Sequence, residues 1–300
     1  MYAAPAVEPY ATECGRQRPA SKEIVMSHRW LPCSLFLLLV TSAFTSCAGP
    51  APLMLAARQG DSQKVIAQID AGANPNMRGS DGVTPLMYAA GHGNVDMTAA
   101  SRNELTYRDL QHSGDNTETV KALLSHGAEV SLVDVNGQTA LWYAAYHGNV
   151  EAMALLMRAG GAPDKANNYK QTPLAMSARE GHEACVALLL THHVDLDSRS
   201  SPDQKTPLIM SSYTGAEGCV RLLLEAGANV ELVDINGHGA LQNAVFKGHR
   251  AVIKLLLLNG APVNTRDKDG NTPLATAISR GYDTGYDSIA AVLKAAGGVK

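Results

Sequence analysis

Paired histidines and paired cysteines are the residues in this 300-residue chain whose spacing could hold a metal or form a covalent link. His92 and His147 stand in the matching contexts G-H-G-N-V and Y-H-G-N-V, and Cys185 and Cys219 in E-A-C-V-A-L-L-L and E-G-C-V-R-L-L-L. Shared zinc ligation needs donors about 2 Å from one ion, and a disulfide needs Cα atoms within about 7 Å. Matching contexts point the other way, because equivalent residues of stacked helical units lie about 8–10 Å apart. We therefore expect no metal at His92 and His147, and free, buried thiols at Cys185 and Cys219. G-x-S-x-G, H-E-x-x-H, C-x-x-C, the Walker loop and G-x-G-x-x-G do not occur, so neither catalysis nor a cofactor is predicted.

The contexts match because the chain repeats itself. In the copy from Asp134 to Asp164, Thr139 can cap a first helix whose narrow apolar face is Ala140, Leu141, Ala144 and Ala145. Gly148 can end it, since glycine accepts the left-handed conformation of a helix terminus. Val150, Met153, Leu155 and Leu156 mark a second helix at three- and four-residue spacing, and Gly160 ends that one. Two helices this short cannot bury both faces alone, so the unit needs neighbours.

With Thr139 as reference, its equivalents are Ala51, Thr84, Thr172, Thr206, Gly239 and Thr272, at steps of 33, 55, 33, 34, 33 and 33 residues. This period and the pattern T-P-L-x-x-A-A-x-x-G resemble the ankyrin repeat; T-P-L stands unaltered at Thr84, Thr172, Thr206 and Thr272, and the likeness covers 51–298. Proline after the capping threonine suits a helix start, because its missing N–H would have gone unpaired there. The resemblance implies an all-α ankyrin-repeat solenoid of about seven helix-turn-helix repeats with β-hairpin connections, serving as a non-catalytic protein-protein interaction module. It also implies that His182 and His249, in the glycine-histidine pairs between helices, bond backbone through their rings.

Departures from the pattern carry their own expectations. His193 stands where other second helices end in glycine, and a left-handed histidine would cost about 1 kcal/mol, so His193→Gly is expected to stabilise. The 55-residue step holds 22 extra residues, placed at 98–119 as a polar insertion between the helices of the second repeat. The last repeat is three residues longer at Asp283 to Tyr286.

Residues 1–25 carry Pro5, Pro9 and Pro19 with no apolar period, and read as disordered or as an upstream misassigned start. Residues 26–48 read as a signal: His28 and Arg29 precede the apolar run Ser34 to Phe44, too short for a comfortable membrane span. Either signal peptidase cuts after Ala48, or Cys47 becomes a lipidated first residue, the membrane being met only through that lipid. The expected location is periplasmic or secreted in a bacterial envelope, with the cytoplasm as the alternative if the run is not a signal. A net charge of −3 and a pI near 6.4 supply no field for a phosphate backbone, so nucleic acid is not an expected partner.

A protein partner remains, met by a monomer. The family binds through hairpin tips and the exposed side of the first helix. Carried onto this chain, the helix positions are Tyr146 and His147, Arg179 and Glu180, Tyr213 and Thr214, Phe246 and Lys247. The tips add Val135, Asn136, Asn168, Tyr169, Asp203, Ile235, Asn236 and His238. Tyr146, Tyr213 and Phe246 share one repeat position in a row broken by Arg179, and such large, partly polar side chains concentrate binding energy. Trp142 and Tyr143 lie nearer the seam between repeats and read as core. The predicted role is an exported scaffold or inhibitor, with a cytoplasmic regulator or an accessory to a redox or stress enzyme as the alternative.

Overall fold

The computed structural model describes residues 51–91, 116–281 and 285–300. Helices run through them in pairs: α1 (Pro52–Arg58) with α2 (Ser62–Asp70), α3 (Pro85–Ala90) with α4 (Thr117–Ser125), α5 (Ala140–His147) with α6 (Val150–Arg158), and α7 (Pro173–Glu180) with α8 (Glu183–Leu190). The array continues as α9 (Pro207–Thr214) with α10 (Glu217–Glu225), α11 (Ala240–Lys247) with α12 (Arg250–Leu258), and α13 (Pro273–Ser279) with α14 (Tyr286–Ala295).

The threonines start the first helices as expected. Thr139, Thr172, Thr206 and Thr272 each accept, through Oγ1, the N–H three residues on, at 3.1, 3.2, 3.3 and 3.2 Å. At the far end Gly148 takes φ 78°, and a Cβ there would lie 2.5 Å from Nδ1 of His182, so conformation and space both require glycine. Leu141, Leu156, Leu174, Leu189, Leu208 and Leu223 are buried between successive pairs. Full burial stabilises each by about 1.5–3 kcal/mol, and every pair relies on its neighbours for it. First helices pack on one another more closely than second helices do, the packing that gives a solenoid of this kind a concave first-helix side.

The connections are tight hairpin tips without the paired strands of a β-ladder. Among the described residues no strand forms, and the single isolated bridge is Val233 with Gly239. The tips close with one backbone bond across the turn, as Asp134 N–H to Gln138 O at 3.1 Å, and with a side chain: Oδ1 of Asp134 accepts the N–H groups of Asn136 and Gln138, both at 2.8 Å. Asn167, Asp234 and Asp267 do the same in their tips. The outward N–H then bonds the preceding tip, as Val135 to Asp81 O (2.9 Å), Asn168 to Asn136 O (2.8 Å), Ile235 to Asp203 O (2.9 Å) and Lys268 to Asn236 O (3.0 Å). Each such tip thus has one cross-turn backbone bond, and its outward N–H goes to the neighbouring tip and not to a longer ladder of its own.

His193 is a second correction. The left-handed non-glycine residues among those described are Lys170 at φ 55° and Gln204 at φ 56°, and His193 is not one of them. In the third repeat Gly161 N–H reaches back to Leu156 O (2.8 Å); in the fourth, Val194 N–H bonds His192 O (2.9 Å) and the chain leaves α8 by another route. His193→Gly therefore has no backbone strain to relieve.

The strain lies at Lys170 and Gln204, which share one tip position with Gly137, Gly237 and Gly270 at φ 77–81°; Lys170 is the simpler case. Its side chain is exposed. A left-handed lysine costs about 1–2 kcal/mol, whereas glycine adds about 0.4–1 kcal/mol of unfolded-state entropy. Lys170→Gly is thus expected to raise stability by about 0.5 kcal/mol, read as a higher denaturant midpoint; an unchanged or lower midpoint would contradict it.

Helix α4 begins at Thr117, so 117–119 are helical, with Thr119 fully buried. Asn116, buried, precedes the helix, and the insertion from 98 to 115 falls outside the described residues. The lengthened last repeat delivers Tyr286 to the start of α14, buried, with its hydroxyl donating to Phe246 O at 3.0 Å.

Candidate functional site

The first-helix row and the tips share the concave side. Tyr146 lies on Trp142 with ring centroids 5.4 Å apart and planes 9° from parallel, and His147 meets its edge at 4.8 Å. Trp142 is buried with Ala175, Met176 and Met210 in a small apolar cluster under the concave side, and its Nε1 donates to Gln171 O at 3.1 Å. Tyr143, partly buried, donates its hydroxyl to Asp134 Oδ2 at 2.8 Å; burial first, then that bond, pushes its phenol far above the ordinary range. Both residues are structural, as their place at the seam suggested.

Each ring of the row is covered by a cation from elsewhere along the array. The Arg179 guanidinium lies 5.6 Å from the Tyr146 centroid, Lys247 and Lys205 lie 4.4 and 5.1 Å from Tyr213, and Arg280 lies 4.0 Å from Phe246. Lys247, and more weakly Lys205, hold the Tyr213 phenol below its usual value. Arg179 pairs with Glu180 at 2.7 Å and Lys205 with Asp203 at 3.6 Å, partly solvated pairs that add little to stability. Thr214 turns its hydroxyl back to Met210 O and Ser211 O at 3.3 Å. Lys205 and Arg280 are absent from the family-derived set, although Arg280 is the seventh-repeat equivalent of Lys247 and was readable from the register.

At the tips Val135 is 62%, Tyr169 52% and Ile235 40% exposed, an apolar line beside the helix row. Asn136 and Asn236 are exposed, but their carbonyls accept the next tip's N–H. Asn168 donates Nδ2 to Val135 O at 3.1 Å. His238 faces inward: Nε2 lies 3.3 Å from Asp267 Oδ2 and Nδ1 3.9 Å from Asp234 Oδ2, tying the last two tips together. A cleft of about 260 Å³ opens there, lined by His238, Gln242, Phe246, Asp267, Asn271 and Arg280.

The remaining chemistry-bearing residues serve the scaffold. His182 Nε2 bonds Tyr146 O and His249 Nε2 bonds Tyr213 O, each at 3.0 Å, so the histidines fasten one repeat's first helix to the next repeat. The Tyr286 hydroxyl makes the corresponding bond in the last repeat. Cys185 and Cys219 are free and buried, their thiols pushed up to about 12 and about 11 chiefly by burial, so the reactive thiolate is scarce near neutrality. His92 and Cys47 lie outside the described residues.

The family model "Ankyrin repeats (3 copies)" matches residues 110–200, 155–234, 188–267 and 211–297, together more than half of the chain. The human transient receptor potential cation channel subfamily A member 1 is 29% identical over 143 residues, 47% of this chain and 11% of that protein. The Caenorhabditis elegans ankyrin repeat and KH domain-containing protein mask-1 is 32% identical over 151 residues, 46% of this chain and 6% of that protein. The chain thus spans only a small part of the length of these relatives. Among solved structures, the human ASB11 ankyrin repeat domain superposes with a TM-score of 0.67 at 25% identity, covering 84% of this chain and all of that one. The Bcl-3 ankyrin repeat domain gives 0.58 at 24% identity, covering 76% of this chain and 94% of that one, a likeness of fold alone.

Proposed function

Since the chain belongs to the ankyrin-repeat family, a family of protein-protein interaction modules, we propose that it is an exported scaffold or inhibitor holding one protein partner against its concave side. The observation that carries this reading is the row Tyr146, Arg179, Tyr213, Phe246, one side chain per repeat, beside exposed Val135, Tyr169 and Ile235. Large side chains aligned in this way supply contact area without catalysis, and buried, protonated thiols speak against a redox accessory.

The test is affinity capture with the chain and with its Tyr146→Ala, Tyr213→Ala, Phe246→Ala form. Tyr146 leans on Trp142 but lies outside the main core, so the triple form should fold and lose its partners at least tenfold in recovery. Full recovery by the triple form would move the binding surface elsewhere.

Export rests on Ser34 to Phe44 followed by Ser46-Cys47-Ala48. The named relatives are animal proteins, so assignment to a bacterial envelope has the leader as its support. Mass spectrometry of the purified chain should find a first residue at Gly49, or at Cys47 carrying lipid. An intact start at Met1 or Met26 would favour the cytoplasmic regulator.

A further inference from the structure

We infer that the concave strip accepts an extended acidic segment of the partner, with carboxylates seated on the cations that cover the rings. This rests on the concave-side reading above and names the chemistry of what that side binds. Arg179, Lys205, Lys247 and Arg280 recur along the strip, each within 5.6 Å of a ring centroid of the row. Glu180 offsets Arg179 and Asp203 offsets Lys205. Among the described residues, Lys247 and Arg280 have no carboxylate at ion-pair distance, and they flank Phe246 at 6.0 and 4.0 Å from its centroid.

Asp267 does not neutralise them. Its Oδ2 already meets His238 Nε2 (3.3 Å), Gln242 Nε2 (3.4 Å) and Asn271 Nδ2 (3.4 Å); burial pushes its carboxyl up, but the Asn271 N–H, the Asn271 and His238 side chains and the Asp269 N–H outweigh it and hold the carboxyl below the usual range. Asp269 also lines the cleft and follows Lys268 directly in the chain. A ring beneath a guanidinium or ammonium attracts it without cancelling its charge and restricts its rotamers. A carboxylate arriving from outside therefore meets a cation already ordered, which lowers the entropic cost of pairing. From the third repeat to the seventh is four steps of about 10 Å, or about 40 Å, which an extended segment of about twelve residues spans.

The test uses the full chain and a fluorescein-labelled twelve-residue peptide alternating glutamate with leucine, against its glutamine twin. Anisotropy at low salt should show the glutamate peptide binding at least tenfold more tightly. Lys247→Glu with Arg280→Glu should abolish that preference, while Arg250→Glu with Lys254→Glu, the same charge change on the exposed side of α12, should leave it intact. Equal binding of the two peptides, equal effects of the two reversals, or equal competition by a DNA oligonucleotide of matched charge would overturn the inference. A captured protein partner lost on changing the three rings, yet kept on reversing Lys247 and Arg280, would leave the concave-side reading standing and remove the acidic segment.

Discussion

Asp134→Ala is expected to destabilise the array by about 3 kcal/mol, centred on the third repeat. One carboxylate, buried to 5% exposure, accepts the N–H groups of Asn136 and Gln138 and the hydroxyl of Tyr143, all at 2.8 Å. Hydrogen bonds to a charged acceptor contribute about 1.5–3 kcal/mol each, and hydration of the released tip recovers part of that total. The damage should spread, because Val135 N–H bonds Asp81 O and Asn136 O accepts from Asn168, so this tip links the second repeat to the fourth. Asp134→Asn should cost only about 1 kcal/mol, since an amide oxygen can still accept both N–H groups. Asn167 already holds its own tip in that way, at 3.0 Å to Tyr169 and Gln171. Urea denaturation of both variants, with hydrogen exchange at residues 134–138, measures the difference; equal losses for alanine and asparagine would show that the carboxylate is not the organising group.

Such a contrast shows which parts of this fold one sequence makes legible. Thr139, Gly148 and the leucines of the second helix act within a few residues of themselves, so their types and spacing report their roles directly. The tips fell short of the paired strands that the family resemblance implied, because one backbone bond, from Asp134 N–H to Gln138 O, and the Asp134 side chain together close the turn before a ladder can extend. His193 misled for a related reason: a register can name the residue at a turn but cannot show that the turn has changed its path. Of the candidate site, the positions were readable and the electrostatics were not. Phe246 is near Arg280 only because one repeat lies on the next, 34 residues along the chain, and the cation reaches back over the ring. His238 looked like an exposed tip residue and instead bridges Asp234 and Asp267.

The same dependence on stacked neighbours makes Trp142 the most sensitive side chain beneath the site. Trp142→Ala is expected to cost about 3–5 kcal/mol, the range for removing a buried large aromatic. The substitution opens space in the apolar cluster that also holds Ala175, Met176 and Met210, leaves Gln171 O without its indole donor, and removes the surface on which Tyr146 stacks at 5.4 Å. Trp142→Phe keeps an apolar ring but loses the 3.1 Å bond to Gln171 O, and should cost about 1–2 kcal/mol. Because each repeat contacts only its neighbours, the loss should appear as faster hydrogen exchange in α5, α7 and α9, with α13 and α14 little changed. A binding readout separates this from the general loss. The alanine form frees Tyr146 to leave the row and lose its contact with Arg179, so partner affinity should fall even under conditions where the variant is fully folded. Affinity equal to that of the unaltered chain, measured on folded Trp142→Ala, would mean that Tyr146 is not held in place by the indole or does not contribute to the bound surface.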